Sequence, residues 1–97
     1  MVEKAIWKVI IHRRAEKVLY RLPRDALERV RAAIRRLTQD PKPEGCKKLA
    51  GYDNLYRVRV GDWRISYAIE DNQLVILVLE IAPRGDAYRN LKQQVKS

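Results

Sequence analysis

The sequence predicts an α+β domain in which a helical hairpin packs on one side of a mostly antiparallel four-stranded sheet, in the order β-α-α-β-β-β-α. Three observations predict it. Residues 55–67 alternate apolar and polar side chains on either side of Gly61-Asp62. Residues 14–37 carry apolar side chains at helical spacing, interrupted by Pro23, and residues 74–81 form an apolar run broken only by Glu80. The 97 residues are read as a single domain, 1–97, because they suffice for one modest core and not for two.

Residues 4–12 alternate well enough for a first strand, with Trp7, Val9 and Ile11 on one face. From Arg14 the period changes. Ala15, Val18, Leu19 and Leu22 fall at helical spacing, and this helix must end before Pro23, which disfavours helical geometry in the residue preceding it. Pro23 then opens a second helix, whose apolar stripe is Leu27, Val30, Ile34 and Leu37, flanked by Ala26 and Ala33. Arg29, Arg31, Arg35 and Arg36 fall on its solvated face. The two helices form an antiparallel pair whose combined apolar surface needs a sheet to cover. Asp40-Pro41-Lys42-Pro43-Glu44-Gly45 is a loop within the domain, and residues 47–51 lead from it into the next strand.

Residues 55–67 read as a β-hairpin closed by a two-residue type II′ turn with Gly61 at its first central position. That turn sets the register: Val60 faces Trp63, Arg59 faces Arg64, Val58 faces Ile65, Arg57 faces Ser66 and Tyr56 faces Tyr67. The aromatic and β-branched pairs then share one side, which is core. Arg57, Arg59 and Arg64 share the other, with Arg59 and Arg64 directly opposed, where like charges reduce stability. Folding alone does not select such a pair. A bound anion would relieve the repulsion, and phosphate matches guanidinium bidentately. Beyond the hairpin, Asp71-Asn72 is a turn, and Leu74 to Ile81 read as a central strand covered on both faces, with Glu80 taken to mark its exposed end in preference to a catalytic role. Ala87, Leu91 and Val95, with Asp86 near the start, suggest a final short helix that would partly roof the arginine side.

Lysine and arginine number 21 against 12 acidic residues, a net charge of +9, which favours a polyanionic partner. The apolar runs are too short to span a bilayer, so nucleic acid is expected in preference to a membrane surface. The N-terminus lacks the features of a signal peptide, and the single cysteine, Cys46, reads as an ordinary loop thiol; both point to the cytoplasm. No cofactor or metal is expected. The single histidine, His12, is read as a polar residue at a strand end.

The order of elements, together with Lys-Lys-Leu-Ala-Gly at 47–51, Tyr-Arg-Val-Arg-Val-Gly-Asp-Trp-Arg-Ile-Ser-Tyr at 56–67 and Ala-Pro-Arg-Gly-Asp-Ala-Tyr at 82–88, resembles the RelE/ParE superfamily of toxins. The resemblance implies a toxin neutralised by a cognate RelB-like antitoxin. In the RelE branch it also implies ribosome-dependent cleavage of messenger RNA in the A site, with no small-molecule cofactor. Arg84 after the last strand and Tyr88 beyond it favour that branch, although Arg57 and Arg59 stand where its best-known members have lysines. For metal-free cleavage at those positions, Arg59 and Arg64 are expected to stabilise the phosphorane, Arg84 to assist the leaving group, Tyr88 to orient or deprotonate the 2′-OH, and Arg57 to position substrate. Lys47 and Lys48 would hold messenger or ribosomal phosphates. The alternative is a ParE-like toxin that inhibits DNA gyrase and is not a nuclease. A basic nucleic-acid-binding module without activity is a further possibility.

Overall fold

The computed structural model describes residues 6–83. They form β1 (Lys8–Ile11), α1 (Arg13–Leu19), α2 (Arg24–Gln39), β2 (Lys47–Lys48), β3 (Leu55–Val60), β4 (Trp63–Glu70) and β5 (Val75–Pro83), with a single 3₁₀ turn at Asp71–Gln73. The sheet order is β1-β5-β4-β3-β2, parallel between β1 and β5 and antiparallel elsewhere. The expected architecture stands with one correction, five strands in place of four. Lys47 and Lys48, expected as a lead-in, pair with Arg57 and Tyr56 to make a two-residue edge strand. A strand this short carries too little alternation to be recognised from sequence.

Several boundaries move for local reasons. The first strand is shorter than expected because the Trp7 amide donates to the Thr38 carbonyl at 2.8 Å, binding the chain to the end of α2 before the ladder begins. His12 ends the strand and caps α1, its Nδ1 accepting from the Arg14 amide at 3.1 Å. The polar residue at the strand end therefore has a structural task. Helix α1 stops at Leu19, not at Leu22, and Pro23 is the N-cap of α2, not its first turn. The Pro23 carbonyl accepts from Leu27 at 2.8 Å, so the ring's missing amide costs the helix nothing.

Both helices lie on one face of the sheet. Ala15, Leu19, Leu22, Val30, Ile34 and Leu37 pack against Ile65, Tyr67, Ile69, Ile76, Val78 and Ile81, with Trp7, Val9, Ile11, Val58, Val60 and Trp63 at the margin. Every residue of the apolar stripe foreseen on α2 is at least half-buried, and its four arginines are exposed. Strand β5 is central as expected, lying between β1 and β4. The proposed C-terminal helix over Ala87, Leu91 and Val95 lies outside the described residues.

The hairpin register is the one the sequence implies, pair for pair from Tyr56↔Tyr67 to Val60↔Trp63. Gly61 has φ +61° and Asp62 is not among the positive-φ residues, as a II′ turn requires. Tyr67 is fully buried and its hydroxyl donates to the Pro41 carbonyl at 2.7 Å, which fastens the 40–46 loop over the sheet. Its ring stacks on Tyr56 at 6.1 Å, and Lys42 sits 5.3 Å above the Tyr56 ring. Burial first, then the neighbouring Cys46 thiol, pushes the Tyr67 hydroxyl well above the ordinary tyrosine range.

Candidate functional site

The face of the sheet turned away from the helices carries the basic cluster. Side chains of directly paired residues point to the same side, so the register defines two cross-strand rows. The first runs Lys47, Arg57, Ser66, Glu80 across β2, β3, β4 and β5. The second runs Arg59, Arg64, Ala82 across β3, β4 and β5. Four cations and one carboxylate thus occupy neighbouring positions. Lys48 does not join them: it pairs with Tyr56 and takes the opposite face.

The two opposed arginines differ in setting. Arg59 is exposed, and its Nε donates to the Gly61 carbonyl at 3.2 Å, so the guanidinium is folded along its own turn. Arg64 lies deeper, and its Nε is buried. Ser66, between Arg57 and Glu80, is fully buried, and its hydroxyl has no hydrogen-bond partner among the described residues. Ala82, which pairs with Arg64, is itself buried.

Glu80 requires a correction. It does not mark an exposed end; it is 6% exposed and lies at the β5 end of the row that carries Lys47 and Arg57. The cause is a β-bulge. Ser66 pairs with Glu80 but Tyr67 pairs with Val78, so Leu79 is an extra residue on β5. Strict alternation from Ile76 and Val78 would turn Glu80 toward the helices. The bulge reverses the parity, sending Ile81 into the core and Glu80 to the basic side. An apolar run broken only by Glu80 has no period that reveals this. The signal available was indirect: a lone carboxylate in a central strand needs a polar neighbour, and only one face offered any.

Of the residues singled out from sequence, the structure therefore brings Arg57, Arg59, Arg64 and Lys47 together. Arg84 and Tyr88, which follow β5 in the chain, lie outside the described residues. A second basic feature adjoins the face. Arg29 and Arg36 of α2 and Arg59 of β3 line a groove of about 340 Å³ together with Ala32, Ala33, Leu37, Val58 and Val60 and with Pro43 and Glu44 of the loop, three cations to one carboxylate. Among the described residues no helix is long and apolar enough to cross a membrane.

A cluster of guanidinium groups on an otherwise ordinary sheet can bind and polarise phosphate, and known proteins share the arrangement's scaffold. The family model described as "ParE toxin of type II toxin-antitoxin system, parDE" matches residues 9–88, which includes the hairpin, Arg84 and Tyr88. The chain belongs to the RelE/ParE superfamily of type II toxins. RelE1 of Methanocaldococcus jannaschii is 34% identical over 87 residues, covering 87% of this chain and 97% of that one. The toxin fold also superposes on the archaeal RelE–RelB complex from Pyrococcus horikoshii, with a TM-score of 0.75, 33% identity, and coverage of 84% of this chain and 99% of that one. A doubly substituted RelE of E. coli in the free state gives a TM-score of 0.77 over 93% of this chain and 98% of that one; at 18% identity it speaks for the fold alone. The chain is thus a toxin of RelE type, and the sequence resemblance holds at the level of family and fold.

Proposed function

We propose that this RelE-type toxin is a metal-independent endoribonuclease that cleaves messenger RNA in the ribosomal A site and so stops translation. The observation that carries the reading is the directly opposed Arg59–Arg64 pair with Arg57 and Lys47 in the next row, a patch of positive charge that costs folding energy and matches a phosphodiester. Cleavage without metal proceeds by attack of the ribose 2′-OH on the adjacent phosphorus. The new O–P bond forms, the bond to the 5′ oxygen breaks, a proton leaves the 2′ oxygen and another reaches the 5′ oxygen. Arg59 and Arg64 stabilise charge on the phosphoryl oxygens, Arg57 positions the strand, and Lys47 holds a flanking phosphate. Arg84 assists the leaving group and Tyr88 orients or deprotonates the 2′-OH. Arginine, with a pKa above about 12, is a poor base, so the ribosome's ordering of the substrate supplies much of the rate.

The toxin acts where ribosomes are, in the cytoplasm, and its partner is a RelB-like antitoxin, as in the P. horikoshii complex. The arginine-rimmed groove between α2 and β3 suits an acidic segment with an apolar side. The matching family model carries the ParE name, which favours a second reading, inhibition of DNA gyrase. Primer extension on a defined messenger RNA, with and without programmed ribosomes, separates the two. Ribosome-dependent cuts at A-site codons, weakened in Arg84→Ala and Tyr88→Phe, are expected. An absence of cuts together with loss of gyrase supercoiling would establish the ParE-like reading instead.

A further inference from the structure

We propose that the groove between α2 and β3 takes an extended acidic segment of the antitoxin, laid along the free edge of β3, and that a carboxylate of this segment holds Arg59 away from the phosphate face. This rests on the toxin and nuclease readings above, and adds the surface, the shape of the segment and the arginine through which it acts. Strand β2 pairs only with Arg57 and Tyr56, so Val58, Arg59 and Val60 have β4 on one side and no strand on the other among the described residues. Such an edge offers backbone N–H and C=O groups to an added strand. The groove adjoins it, lined by Val58 and Val60 from the strand and by Arg29 and Arg36 from the helix. Those two arginines are two helical turns, about 10 Å, apart, the length of about three residues of extended chain.

The charge of the groove selects the segment. Its three arginines face one carboxylate, Glu44. Helix α2 has an ion pair between Arg24 and Glu28, whereas Arg29 and Arg36 are exposed and make none among the described residues. The other lining residues are apolar and none is aromatic, so the groove lacks the stacking platform that a single-stranded RNA would use. In an extended segment that alternates acidic and apolar residues, the backbone pairs with β3, the apolar side chains meet Val58 and Val60, and the carboxylates meet the arginines. Arg59 belongs to both surfaces. The register sets it on the arginine face opposite Arg64, yet it also lines the groove, and its Nε donates to the Gly61 carbonyl at 3.2 Å. Nη1 of Arg29 stands 3.6 Å from where a Cβ on Gly61 would lie. Two guanidinium groups thus flank one turn, and a carboxylate bound to both relieves their repulsion and keeps Arg59 on the groove side. Filling the groove then lowers cleavage without covering Arg57 or Arg64.

The test uses a synthetic, end-capped peptide of about seven alternating glutamate and valine residues, about 20 Å when extended. It is titrated into the isotope-labelled full chain while backbone amide shifts are followed, and then into single-turnover cleavage on programmed ribosomes. Shifts are expected at the amides of Val58 to Gly61. Arg29→Gln with Arg36→Gln should raise the Kd of the peptide about 10-fold. Arg31→Gln with Arg35→Gln removes the same charge from exposed positions of α2 outside the groove, and should change it by less than about twofold. Cleavage by wild type should fall as the groove fills, whereas the residual rate of Arg59→Gln should change by less than about twofold, because the effect passes through Arg59. Equal weakening by the two pairs of substitutions, or shifts that spare Val58 to Gly61, would overturn the docking site. Cleavage unaffected at saturating peptide would overturn the role of Arg59. A single-stranded RNA oligomer that shifts these amides where the peptide does not would assign the groove to RNA and overturn the proposal. A wild-type chain that cuts nothing without peptide would remove the nuclease reading, while the amide shifts would still decide the groove.

Discussion

On the helix side of β3 and β4, Val58, Val60, Trp63, Ile65 and Tyr67 meet cross-strand partners that are themselves apolar or aromatic, and the two helices complete their burial. On the other side of the same strands, Arg57, Arg59 and Arg64 crowd together beside one carboxylate. The backbone and the register are shared, so neither propensity nor the turn distinguishes the two faces. The difference lies in what each set of side chains does for the free energy of folding. One face is stabilised by removing apolar surface from water, and the other sets Arg59 directly opposite Arg64, a like-charge pair that lowers stability and that a phosphate would relieve.

Substitutions on the two faces should accordingly separate stability from activity. The largest expected effect is on the helix side: Ile65→Ala, at a fully buried position, should lower unfolding free energy by about 2–5 kcal/mol in urea titrations. On the arginine side, Arg64→Ala should lower ribosome-dependent cleavage by about 100- to 1,000-fold while leaving the urea midpoint close to that of wild type. A smaller effect is expected at the loop anchor. Tyr67→Phe removes the bond to the Pro41 carbonyl and should cost about 1 kcal/mol. It should also change the alkaline limb of stability. Because folding raises the Tyr67 pKa, that contribution is fully present below the ordinary tyrosine value of about 10 and is lost as pH rises toward the raised folded-state value, so wild type loses stability there and the variant does so less. The smallest effect has the opposite sign. Arg59→Thr relieves the opposed charges and should raise stability by up to about 0.5 kcal/mol even as cleavage falls.

The same contrast accounts for what the sequence revealed. The hairpin was legible in full, because Gly61 at the turn and strict alternation on both arms leave one register that buries every aromatic and β-branched residue. Strand β5 was legible as a central strand but not in its facing, since a run that is apolar on both sides carries no period, and the Leu79 bulge that relocates Glu80 leaves no mark in composition. Strand β2 escaped notice because two lysines at a sheet edge look like a solvated loop. The arginine cluster was visible as a set, including its opposed pair. Its separation into an exposed Arg59, tied to its own turn, and a deeper Arg64 near Glu80 depends on a neighbouring strand far along the chain.

The most direct test replaces Arg57, Arg59 and Arg64 together with glutamine and measures, on one preparation, both A-site cleavage and unfolding free energy. Cleavage abolished with stability equal to or above that of wild type would show that this face exists for phosphate chemistry and not for folding. Cleavage that persists, or activity and stability that fall together, would contradict it.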